Sequence, residues 1–344
     1  MNKNATSLPN FQRINYALRP AKHAERKMFC ETFSRLSLLD NLKNYRYIGM
    51  GSAYFSDFNL FHKTLGITKL ISIEGEDAEE YKDRINFNIP FACIAVEFRY
   101  SNVVLPTLPW QKWKSKSIVW LDYVDKLMSY MLGDIHTVIF NARPGSVFLI
   151  SVNIENEEPK EQTGKNRLTA KQYRIRRLEE NVGKRNIPHR AYTMNLNVEN
   201  NKQIIREIIH NTILHSVKTR NDGIDEKNKI LYKQLFNIHY KDSADMLTVG
   251  GIIYNTKQKS KVSKMFENLD FIRTDESCFS IVVPKLTYRE IQALEKVLPN
   301  DETIQTGIAI TGDKKIPLSV DDVKNYAKIY RYFLIFPRFC GHSV

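Results

Sequence analysis

The sequence predicts an α/β protein built around a mostly parallel sheet that a late antiparallel hairpin completes, with helical and C-terminal elaborations. Three observations predict it. Between residues 40 and 155, five apolar runs of four to eight residues alternate with helical stretches, the pattern of a sheet covered on both faces. The first run stops at a glycine turn, Gly49-Met50-Gly51. Far downstream, apolar runs at 235–240 and 246–254 flank a short polar turn.

The elements follow in order. Residues 20–42 read as a helix, because Ala24, Met28, Phe29, Phe33, Leu36 and Leu39 recur at steps of three and four. Pro20 suits its first turn. Its start is basic and implies an anion nearby. Strands are expected at 45–48, 69–74, 92–98, 117–123 and 146–153. Helices are expected at 54–65, closed by Gly66, at 77–88, ended by Pro90, and at 125–142. Residues 202–218 form a broad amphipathic helix. A further strand is expected at 280–283. A helix at 287–297 opens on the Thr287/Glu290 capping box. The end, 320–339, is rich in Tyr and Phe. This divides the chain into a first helix plus α/β core (1–155), a basic helical insertion (156–232), the hairpin (233–255) and a C-terminal α+β part (256–344).

Composition sets bounds. The chain has 344 residues, 42% hydrophobic and 26% charged, which is ordinary globular usage. Lysine and arginine number 51 against 38 acids, a net charge of +13, so a phosphate-bearing partner is plausible. The four cysteines (Cys30, Cys93, Cys278, Cys340) stand far apart. That excludes a zinc-finger spacing and fits a reducing cytoplasm. No metal site is expected. The first twenty residues lack the apolar core of a signal peptide, and no run approaches the roughly 20 residues a membrane span requires. A cytoplasmic protein with no membrane association is the expectation.

The chemistry is expected at the C-terminal ends of the parallel strands, where ligands of such folds bind. A strand, a glycine turn and a helix start succeed one another at 47–56, and the next strand ends in Glu74, 23 residues after Gly51. A carboxylate there can accept both hydroxyls of a ribose, close to the roughly 20-residue interval of nucleotide-binding units. A dinucleotide fingerprint would need glycine at 54, where Tyr54 stands, and no P-loop string occurs. A ribose-bearing cofactor without phosphates fits better. The plainer reading of the glycines is an ordinary strand-to-helix turn.

These residues resemble the class I S-adenosylmethionine (SAM) methyltransferases, whose sheet is Rossmann-like. The resemblance implies SAM as cofactor, bound by Gly49, Met50, Gly51, Ser52 and Glu74, with Asp122 and Tyr123 at the fourth strand's end beside the transferring methyl group. Two positions depart from the pattern: Tyr47 stands where many members carry an acid, and Ala53 replaces a common third glycine. More closely, RPAKHAERKM (19–28), YIGMGSAYFSDF (47–58), RINFNIPF (84–91), WLDY (120–123) and MLTVGG (246–251) resemble an uncharacterised bacterial group of putative O-methyltransferases over nearly the whole chain. The implied function is direct methyl transfer to an unknown acceptor. The alternative is a degenerate methyltransferase core acting as a nucleic-acid-binding or SAM-sensing subunit.

Remaining candidates carry two readings each. Asp122 orients the acceptor or is a salt-bridged strand end. Asp57 favours the helix dipole. Arg19, Lys22 and Arg26 share one helix face and border the cofactor pocket, bind an anionic substrate, or are surface charge. Residues 160–190 hold ten Lys/Arg against three Glu. There Arg174, Arg176 and Arg177 track a nucleic-acid backbone or belong to a solvated loop. A protein partner stays open.

Overall fold

The computed structural model describes residues 19–75, 81–157, 168–299, 301–311 and 314–333. The first residues of the chain, the start of the helix expected at 77, Lys160, Lys165 and Arg167, and the aromatic end with Cys340 lie outside the described residues.

An eight-stranded sheet runs through the molecule in the order β3-β2-β1-β4-β5-β7-β6-β8. Its strands are β1 (Arg46–Gly49), β2 (Leu70–Glu74), β3 (Ile94–Phe98), β4 (Ser117–Lys126), β5 (Ser146–Asn153), β6 (Ile230–Lys241), β7 (Asp245–Asn255) and β8 (Phe279–Ile281). Strands β1 to β5 are parallel, and β7 lies antiparallel between β5 and β6. The expected mixed sheet with a late hairpin is therefore present. The order reverses between β1 and β4, which places the switch point where the glycine turn lies.

Alternation along the strands splits the core between two faces. Tyr47, Val147 and Leu149 join one apolar cluster, while Ile48, Phe148 and Ile150 join the other. The first face is covered by α1 (Pro20–Ser34), α2 (Ser56–Leu65) and α3 (Lys82–Phe87). The second is covered by α4 (Ser101–Thr107), α5 (Ser129–Asn141), α6 (Ala170–Val182) and α8 (Val198–Asn221), the last two separated by the short α7 (Arg190–Thr193). Beyond α9 (Lys259–Lys264) and β8, a smaller cluster gathers Ile291 and Leu294 of α10 (Tyr288–Glu295) with Val323 and Tyr326 of α12 (Val320–Ile329). Between them come α11 (Asp301–Thr306) and the hairpin of β9 (Ile308–Thr311) and β10 (Lys314–Pro317). The Thr287/Glu290 capping box opens α10 as expected.

Several elements differ from expectation, among them β6, which begins at Ile230 rather than 235. Helix α1 ends at Ser34 and continues only as a 3-10 turn, Arg35–Leu38, with Leu38 exposed. The helix expected from 125 begins at Ser129, because β4 runs on to Lys126. Helix α4 was not expected, since Pro106 inside it obscures the helical spacing. Among the described residues no helix is long and apolar enough to cross a membrane.

Candidate functional site

A cavity of about 340 Å³ opens over the C-terminal ends of β1, β2 and β4, within the range of small-molecule sites. Its wall includes Met50, Gly51 and Ser52 after β1, Glu74 at the end of β2, Tyr100 and Ser101 after β3, and Asp122 and Tyr123 on β4. Arg19 just before α1, Arg26 of α1, Asp57 of α2 and Met246 of β7 close it. Nearly all the expected cofactor and catalytic residues are thus together. Gly49 stands just behind the wall, and Lys22 acts through Asp122.

Neither Gly49 nor Gly51 takes a left-handed conformation. The left-handed residues are Ser52 (φ 52°) and Phe55 (φ 46°), not the glycines. Both are non-glycine residues in a region that costs on the order of 1 kcal/mol or more to occupy. The glycines are required by close approach: a Cβ on Gly49 would lie 2.3 Å from the Tyr47 hydroxyl, and one on Gly51 2.6 Å from the Phe55 ring. Nor do the turn amides face an open anion site. Gly51 N and Ser52 N both donate to Glu74 Oε1 at 3.0 Å, and Ser72 Oγ donates to the same oxygen at 2.7 Å. Among the described residues nothing bonds Oε2. Burial nonetheless raises the Glu74 pKa to about 7, against the pull of these three donors.

On the other side, Lys22 is fully buried and bridges Asp122 (2.6 Å) and Glu25 (2.9 Å), with its ammonium 4.2 Å above the centre of the Trp120 ring. Burial would raise the pKa of Asp122, but the Lys22 ammonium and its hydrogen bond carry it below the usual carboxylate range. Burial wins at Glu25, whose pKa is raised. The Glu25 carboxyl accepts from Thr248 Oγ1, Thr248 meets Ser151 Oγ at 2.7 Å, and Trp120 Nε1 donates to Ser151 at 2.9 Å. Asp122 is therefore a fixed anion rather than a proton acceptor. The Tyr123 hydroxyl sits in a bridge, 2.9 Å from Ser101 Oγ and donating to Asp134 at 2.6 Å. Its ring serves as wall, and burial beside Asp134 drives its pKa well up.

The anion implied by the basic start of α1 is Asp242, from the β6–β7 turn. It accepts from Ala21 N (3.1 Å) and Lys22 N (3.0 Å) and pairs with Arg19 at 3.7 Å. Arg174, Arg176 and Arg177 lie on α6, away from the cavity. Arg176 pairs with Glu180, and Arg177 with Glu157 and Glu180, while Arg174 donates to Leu196 O. Sequence reasoning gave Asp57 a helix-dipole role only, and the structure places it in the cavity wall. It is buried at the start of α2, and it accepts a hydrogen bond from Tyr47 Oη.

The profile of a protein family described as putative O-methyltransferase matches residues 14–341. The chain belongs to this family. Among curated proteins none matches. Solved structures to which the chain is similar include a putative SAM-dependent methyltransferase from Listeria monocytogenes (11% identity, TM-score 0.36, covering 65% of this chain and 97% of that one). Others are LepI with SAM (8%, 0.32, 60% and 43%) and PigF with S-adenosylhomocysteine (12%, 0.31, 67% and 64%). The present chain spans less than two thirds of the length of the latter two.

Proposed function

We propose that this family member is a SAM-dependent methyltransferase that transfers the methyl group directly to an acceptor positioned over β4. One observation carries the reading most: the turn amides that would cradle a phosphate are bound to the Glu74 carboxylate, whose second oxygen is left for the cavity. A phosphate would meet a negative group there, whereas the hydroxyls of a ribose meet an acceptor. The residues fit a nucleoside with a charged tail in a second respect, since the buried Nε of Arg26 has no hydrogen-bond partner.

Bound in this cavity, SAM supplies an electrophilic methyl group. The protein's part is positioning. Glu74 fixes the sugar, and Ser101 and Tyr123 present a rigid wall. Asp122, held ionised by Lys22, orients polar hydrogens at the reacting end. Calorimetry with S-adenosylhomocysteine tests the reading. Micromolar binding that Glu74→Ala weakens at least tenfold is expected. An intact protein that shows no binding at millimolar ligand overturns it.

A further inference from the structure

The sheet has a second end, opposite the cavity. Strands β1, β4 and β5 begin there at Arg46, Ser117 and Ser146, and β7 finishes there at Asn255. The eight residues of β5 put roughly 25 Å between this end and the strand ends under the cavity. Three stretches of chain meet at it. Residues 112–116 lead into β4, 141–145 lead into β5, and 257–264 follow β7 and include α9. Arg143 Nε donates to Trp113 O at 2.5 Å and joins the first two. Gly145 joins the third, since a Cβ there would lie 2.7 Å from Lys116 Cδ and 3.2 Å from Gln258 Nε2.

The three stretches bring cations and no anion. The first carries Lys112, Lys114 and Lys116, and the second Arg143. The third carries Lys257, Lys259, Lys261 and Lys264. No acid occurs in 109–117, 141–147 or 256–266. Lys116 is paired with Asp40 at 2.5 Å. The other seven cations are exposed, and none forms an ion pair with a described residue. Helix α6 is the opposite case, since Glu157 and Glu180 hold its Arg176 and Arg177.

We propose that this end of the sheet grips the phosphate backbone of a double-stranded nucleic acid. Ammonium groups are point charges that hold phosphates without reading bases. A protein partner would be met by aromatic or apolar anchors on a lysine-poor surface, and no exposed large apolar side chain lies on these stretches. A bilayer would be met by a basic helix with an apolar face, but Val262 of α9 is buried in the protein's own core. A single strand would need aromatic rings on which to stack its bases. The Trp113 ring is already covered by the Arg46 guanidinium, 3.6 Å from its centre, and is met at its edge by Trp110. A duplex offers closely spaced phosphates and asks for nothing else. Bound here, it is a platform on which the protein sits, and the cavity at the far end stays open to its own acceptor.

Fluorescence anisotropy on the full chain tests this with labelled mixed-sequence duplexes of about 30 base pairs, one DNA and one RNA. Micromolar binding of at least one duplex is expected in about 50 mM salt, with log affinity falling about 4 to 6 units per log unit of salt. Lys259→Gln, Lys261→Gln and Lys264→Gln combined should weaken binding about tenfold or more and reduce that slope by about 3. Lys112→Gln with Lys114→Gln, on a separate stretch, should reduce it by about 2. The thermal midpoint of both variants should stay where it is, because exposed substitutions of this kind scarcely change stability. Arg176→Gln with Arg177→Gln should leave duplex affinity within twofold. No binding of either duplex, equal binding by the two lysine variants and the unaltered chain, or tighter binding to phosphatidylserine vesicles or polyglutamate than to duplex overturns the proposal. Each of these readouts is independent of the cofactor, so failure of the methyltransferase reading leaves them decisive.

Discussion

Glu74 places three hydrogen bonds on one carboxyl oxygen, yet burial keeps its pKa near 7. The sign of the consequence follows from linkage. Between its ordinary value of 4.5 and about 7, the folded chain holds this proton more tightly than the unfolded chain does. Glu74 therefore contributes stability that is present below that window and lost as pH rises through it. Ligand binding runs the other way, since the ribose hydroxyls need an ionised acceptor. Affinity for S-adenosylhomocysteine is expected to rise up to about tenfold per pH unit below 7 and to level off above it. Glu74→Gln should flatten that profile, as titration calorimetry at pH 6, 7 and 8 would show. Lys22 offers a second test. Lys22→Met would leave Asp122 and Glu25 without their shared cation, at a cost of about 3–5 kcal/mol in denaturant unfolding.

Individual elements explain what the sequence revealed and what it hid. The five parallel strands were legible because each is a short apolar run bounded by polar or glycine breaks, and that pattern is local. Helix α2 was legible through Gly66, which takes the left-handed C-cap at φ 69°. Asp57 was not legible as a site residue. Its meaning depends on a tyrosine ten positions earlier and an arginine on another helix, and no spacing rule connects them. The glycine turn was legible in position but not in mechanism, since only coordinates show that Glu74 takes its amides. The Gly250-Gly251 pair in β7 is a similar case. Leu235 is an extra residue in β6 opposite it, and a Cβ on either glycine would meet neighbouring backbone within 2.1 Å. Gly250→Ala or Gly251→Ala is expected to cost at least about 1–3 kcal/mol by overpacking, measured by urea unfolding. Asp242→Ala should remove the cap on α1, costing about 0.5–2 kcal/mol. It should also weaken S-adenosylhomocysteine severalfold, because α1 carries Arg26.

At the scale of the whole molecule, two apolar clusters on opposite faces fix the sheet, and the cavity occupies the reversal of strand order between β1 and β4. A ligand bound there engages α1, α2, β2 and β4 together. S-adenosylhomocysteine at 100 times its dissociation constant is therefore expected to stabilise the fold by about 2.7 kcal/mol. The contacts that seat α1 span long stretches of chain: Lys22 to Asp122 is 100 residues, Ala21 to Asp242 is 221, and Glu25 to Thr248 is 223. A nascent polypeptide leaving the ribosome thus carries its glycine turn and Glu74 long before it carries the partners that lock the first helix over them. Cofactor in the cell cannot serve as a template for the emerging amino-terminal half. It can be captured only once synthesis has passed the second arm of the hairpin, so occupancy of the pocket reports a chain made through β7.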